Sequence, residues 1–147
     1  MLTNRSVMAD ILLPHIVYQN LPKAIDWLTH AFGFTEHYRY GDPPSGAQML
    51  LGRACIMANQ AQPGQASPAQ LGYGTQSLTV FVEDVESQFE QARAAGAKIL
   101  EAPHETAYGE FQCAFEDLDG HRWLFSRHAR DAGPEEWGAT IASSKRD

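Results

Sequence analysis

A weak internal repeat constrains the fold of this 147-residue chain more than any other feature. Asn20-Leu21 followed by Ile25 recurs about 64 residues later as Asp84-Val85 followed by Phe89, and both segments run into a glycine, Gly33 or Gly96. The first half opens with a β-branched run, 11–18 (ILLPHIVY), whose Pro14 suits an edge or first strand. Asn20 then caps a helix with Pro22 in its first turn, and Leu21, Ile25, Leu28 and Phe32 follow at helical spacing. Residues 34–40 predict a strand, and 47–51 with 54–58 predict a hairpin about Gly52-Arg53. The second half repeats this order, with a strand at 75–82, a helix at 84–95, and strands at 98–102, 110–116 and 122–126. A unit this small buries too little of its own sheet face to stand alone, so the halves must pack as a pair. The expected fold is α+β, with two βαβββ modules packed as a pair.

The predicted boundaries follow. Residues 1–10 are an N-terminal extension, 11–59 the first module, 60–74 a linker, 75–127 the second module and 128–147 a tail, with 11–127 acting as one domain. The linker is rich in Gln, Ala, Pro and Gly and shows no periodicity. The tail carries one helix-like turn, Pro134-Glu135-Glu136-Trp137, and its last residues, 143–147, are expected to fray.

A net charge of −7 and a pI near 5.3 argue against nucleic acid or an anionic membrane as partner, because both require a basic surface. They favour a neutral or cationic small molecule. No apolar run approaches the roughly 20 residues that cross a bilayer, and the first ten residues hold Arg5 but no signal-length apolar stretch. A cytoplasmic protein is expected. Cys55 and Cys113 lie in apolar segments outside any Cys-x-x-Cys pattern, which predicts buried free thiols.

Four pieces in fixed order carry a family resemblance over about residues 11–127. They are Ala31-Phe32-Gly33-Phe34, Phe81-Val82-Glu83-Asp84-Val85, Tyr108-Gly109-Glu110, and Asp117-Leu118-Asp119-Gly120-His121-Arg122-Trp123. Together they resemble the vicinal-oxygen-chelate superfamily of glyoxalase I, bleomycin-resistance proteins, fosfomycin-resistance enzymes and extradiol dioxygenases, and the resemblance implies two βαβββ modules forming a paired open sheet around a cavity. The Asp-x-Asp-Gly stretch lacks the oxygen-ligand run and terminal Glu of a calcium loop, so it reads as a turn with Gly120 at positive φ and Asp117 or Asp119 accepting from nearby backbone N–H groups.

The resemblance implies metal ligands on the first and last strands of each module, which fall here on Leu13, Ser77 and Leu124, with a fourth near Met57. None is a convincing ligand, so the branch is expected to lack the metal and no cofactor is predicted. A divalent metal returns only if the register is misread, with His15, two residues beyond Leu13, as a ligand. Glu110 and His104 are the other side chains on offer. His30, His37, His121 and His128 read as solvated or locally bonded.

Strand alternation places His15, Tyr38, Tyr40, Met49 and Met57 on the open face of the first module, together with Val17. Ser77, Thr79, Phe81, Glu110, Gln112, Arg122 and Leu124 follow from the second. This mixture of aromatic, thioether and hydroxyl groups suits a flat, partly apolar molecule. Arg122 either holds a carboxylate or phosphate or pairs with Glu110. Whether the chain is catalytic stays open, with no Ser-His-Asp, Cys-His or carboxylate-dyad motif in it. The leading expectation is a glyoxalase/bleomycin-resistance-like protein binding a small molecule in a metal-free cavity. The alternative is a metal-dependent lyase, isomerase or dioxygenase anchored by His15. A metal-free enzyme and a module that only dimerises are weaker options. The resemblance also implies a homodimer, and Trp137 is a candidate lid over the cavity mouth or over a partner subunit, or a cover for a helix.

Overall fold

A computed structural model describes residues 12–142. The extension at 1–10, the expected strand start at Ile11 and the last five residues lie outside the described residues. The first module runs β1 (His15–Tyr18), α1 (Leu21–Trp27, continued by a π-helical turn, Leu28–Phe32), β2 (Thr35–Tyr40), β3 (Gly46–Leu51) and β4 (Ala54–Gln60). After a short helix α2 (Pro68–Leu71), the second module runs β5 (Ser77–Phe81), α3 (Val85–Ala94), β6 (Lys98–Glu105), β7 (Glu110–Glu116) and β8 (Arg122–His128). A single 3₁₀ turn, Pro134–Trp137, follows.

The repeat is reproduced in topology. The sheets have orders β1-β4-β3-β2 and β5-β8-β7-β6, with the first strand of each module parallel to its last and the other pairs antiparallel. Asn20 and Asp84 cap their helices by accepting from Lys23 N and Ser87 N. Gly33 and Gly96 both take positive φ beyond the helix ends.

One apolar core serves both modules. From the first it takes Ile16, Ile25, Leu28, Phe32, Phe34, Met49 and Ile56, and from the second Val80, Val85, Phe115, Trp123 and Phe125. Phe32 lies at its centre, with its ring centroid 4.9 Å from Phe125, 5.6 Å from Trp123 and 6.1 Å from Phe115. The π turn that carries Phe32 leaves backbone carbonyls without helical donors, and α3 supplies them: Gln88 donates to Phe32 O and Gln91 to His30 O.

A polar clasp ties the modules at the β7–β8 turn. Asp117 accepts from Asp119 N and His121 N within the turn, then from Tyr18 Oη of β1 at 2.7 Å and Trp123 Nε1 at 3.0 Å. Asp119 accepts from Gln19 N, and His121 Nε2 donates to Val17 O. Burial pushes the Asp117 carboxyl up from the usual carboxylate range, against His121 and the Trp123 and Tyr18 donors. Burial, followed by the Asp117 charge, also raises the Tyr18 phenol well above its ordinary value, so Tyr18 keeps its proton and donates.

Three local expectations are corrected. The linker is not featureless, because α2 has a capping box between Ser67 and Gln70, and Ala69 N donates to Asp119 O. Gly120, at φ 84°, permits this approach, since a Cβ there would stand 3.0 Å from Ala69 N. His104, expected on a loop, lies within β6, which is lengthened by two register shifts. His128, expected to begin the tail, ends β8.

Phe32→Ala should lower unfolding stability by about 3–5 kcal/mol in urea denaturation, because its ring is wholly buried. Tyr18→Phe should cost about 1.5–3 kcal/mol, the range for a hydrogen bond to a charged group. A double-mutant cycle with Asp117→Asn should give a coupling of at least about 0.5 kcal/mol, and a coupling near zero would rule out the clasp.

Candidate functional site

The shared core covers one face of each sheet and leaves the other outside it. Strand register fixes which side chains occupy these open faces. On the first sheet, one row across the strands is Tyr38, Gln48, Met57 and His15, and the next is Tyr40, Gly46, Asn59 and Val17. On the second sheet the rows are Lys98, Glu116, Arg122 and Ser77, then Glu101, Ala114, Leu124 and Thr79, then His104, Gln112, Ser126 and Phe81. Glu110 and His128 form a shorter fourth row.

All but one of the predicted site residues occupy these rows. Met49 is the exception: it pairs with Ile56, is fully buried and belongs to the core. The hairpin register sets Met57 opposite Gln48, so Met49 stands one residue out of phase and points to the other side. Gln48 takes the place expected for it, and periodicity alone gave no sign of this because a buried glutamine interrupts an apolar strand. Tyr38 and Tyr40 share the open face, with Tyr38 Oη 3.9 Å from Met57 Sδ. Tyr40 lies across Gly46, where any Cβ would strike its ring.

The expected Arg122–Glu110 pairing does not form. Register puts Glu110 opposite His128 and sets Glu116 beside Arg122. Glu116 is held by Lys98 at 3.2 Å, and Glu110 accepts weakly from Ser126 Oγ at 3.5 Å. Arg122 is exposed and makes no hydrogen bond or ion pair among the described residues. It lines a groove of about 330 Å³ with Ser77, Leu100, Glu101, Ala114 and Leu124. A second groove, of about 280 Å³, joins it at Ser77 and Arg122 and runs along 74–77.

At the far end of this face, Tyr108 Oη donates to Gln112 Oε1 at 3.2 Å, and Trp137 packs edge-on against Tyr108 at 5.6 Å. The tail therefore lies against the β6–β7 turn. Arg130 secures it through ion pairs to Glu105 and Glu136. Tyr108 was quoted in the sequence only as part of a motif, and nothing there indicated its contact with Gln112.

Side chains at the implied metal positions do not fit a divalent ion. Leu13 and Leu124 are aliphatic, Met57 offers a thioether already near Tyr38, and Ser77 offers one hydroxyl. His15 Nδ1 lies 3.1 Å from the amide of Asn59. Among the described residues, no group of three His, Cys, Asp or Glu side chains is placed to hold one ion. Cys55 and Cys113 are buried, and burial pushes the Cys113 thiol up to about 11, which disfavours its thiolate near neutral pH.

No helix among the described residues is long and apolar enough to cross a membrane. Comparison with known proteins bears on the fold and the family. An uncharacterized Mycobacterium bovis protein is 26% identical over 140 residues, covering 90% of this chain and 92% of its own. TioX from Micromonospora sp. ML1 superposes with a TM-score of 0.69 at 29% identity, over 82% of this chain and 99% of its own. A glyoxalase/bleomycin resistance protein/dioxygenase family enzyme from Burkholderia phytofirmans PsJN gives 0.60 at 22% identity, over 82% and 99%. The family model of the same description matches residues 10–125. With the repeated module, the turn at Gly120 and these matches in agreement, the chain belongs to the glyoxalase/bleomycin resistance protein/dioxygenase superfamily.

Proposed function

We propose that this protein binds a small molecule on the open faces of its sheets without using a metal ion, and that it does so as a cytoplasmic homodimer. The observation that carries this reading is the donor chemistry of the central rows. His15 and Met57 stand side by side on the first sheet, and Thr79 and Leu124 stand side by side at the matching place on the second. Such a set polarises no pair of substrate oxygens, yet it suits contact with an apolar body. Phe81, 70% exposed on the same face, supplies aromatic surface that the fold itself does not use. Dimerisation rests on the resemblance to relatives that pair.

The test begins with elemental analysis of protein purified without chelator or affinity tag, repeated after incubation with zinc, nickel, manganese and iron. No stoichiometric metal is expected, and His15→Ala should leave the metal content unchanged. A small-molecule panel should instead yield compounds that raise the melting temperature by about 5–10 °C at a hundredfold excess over Kd. One metal per chain, abolished by His15→Ala, would overturn the reading.

A further inference from the structure

We infer that the open face of the second sheet takes an apolar carboxylate, its carboxylate on Arg122 and its body lying across Leu124 toward Phe81. This rests on the small-molecule reading above and names the ligand class that the face selects.

The row Lys98, Glu116, Arg122, Ser77 carries two cations and one carboxylate. Lys98 engages the Glu116 carboxylate, so the guanidinium beside it keeps its charge and its donors. Ser77, directly opposite on β5, adds a hydroxyl to the same groove. Glu101 at the β6 edge also lines the groove, so a monoanion needs only the guanidinium, whereas a phosphate dianion would place its second charge near Glu116 and Glu101. The planar fork of Arg122 can hold a carboxylate through two parallel hydrogen bonds.

The next row has an apolar centre, Ala114 and Leu124, with Thr79 on one side and Glu101 at the β6 edge on the other. One row further, Phe81 and the nearly buried Gln112 and Ser126 close the face under Tyr108. From Arg122 to the Ser126 row is four residues along β8, or about 13 Å. That span accommodates a carboxylate, a short linker and one aromatic ring. The groove, about 330 Å³, lies at the small end of the range for ligand sites.

Backbone amide NMR with phenylpropionate, its neutral amide and phenylpropylamine tests the inference. Phenylpropionate should shift the amide signals of Ala114, Leu124 and Phe81 and bind about tenfold tighter than phenylpropionamide. Arg122→Gln should remove that preference, and Lys98→Gln should weaken phenylpropionate by freeing Glu116 to pair with Arg122. The acid-against-amide comparison on the unaltered protein decides the matter even if a variant folds poorly. Equal affinity for acid and amide, preference for the amine, or indifference to Arg122→Gln would overturn the carboxylate anchor and leave the small-molecule reading standing. Silence at this face toward all three probes would overturn both. Shifts that follow protein dilution with no probe present would assign the face to a second copy of the chain and overturn the inference.

Discussion

Asp117 is the group on which the arrangement of the two modules depends. A carboxylate removed from water is costly unless every lone pair finds a donor, and here two backbone N–H groups, a phenol and an indole supply them. Two of the four donors lie within the turn and would form in an isolated module. The Tyr18 phenol comes from the other half of the chain, so it is available only when the modules sit at one relative position. The apolar contact around Phe32 crosses the same boundary, but it is less directional. The clasp supplies the orientation that apolar burial alone leaves loose.

A single core between the modules has a consequence for the remaining surface. Because Trp123, Phe125 and Phe115 all turn inward, strand alternation sends Arg122, Leu124, Ser126, Gln112 and Ala114 outward. Those outward positions satisfy no demand of the core. Phe81 is exposed where a polar residue would serve solubility better, and Gln112 and Ser126 are buried where apolar residues would pack without hydrogen bonds.

The fold was legible because its signals are local. Both helix caps, both terminal glycines and the Asp117–Gly120 turn are short patterns whose backbone chemistry leaves few alternatives. The open-face placement was legible where strands alternate cleanly, as at Ser77, Thr79 and Phe81. It failed at Met49, where every residue from Gly46 to Met49 is buried and alternation carries no phase information. The four-residue α2 is too short to show periodicity, and the two register shifts in β6 concealed the place of His104. Tyr18 and Asp117 meet across 99 residues, a contact that no local pattern encodes.

Charge shows most clearly how sequence and structure answer different questions. The net charge of −7 favours a cation at long range, yet the second sheet presents a row with an excess of positive charge. The two effects act over different distances. At physiological ionic strength a field from scattered surface carboxylates decays over about 8 Å, so it biases approach and contributes little to a ligand already in contact. Within the groove, a guanidinium whose neighbouring carboxylate is occupied by Lys98 acts at hydrogen-bond distance and in a partly apolar setting, where attraction is stronger than in bulk water. The local term decides which charge binds, while the overall charge affects the rate at which it arrives. An acidic protein with an arginine that its neighbouring carboxylate leaves unpaired can thus select an anion that its net charge repels.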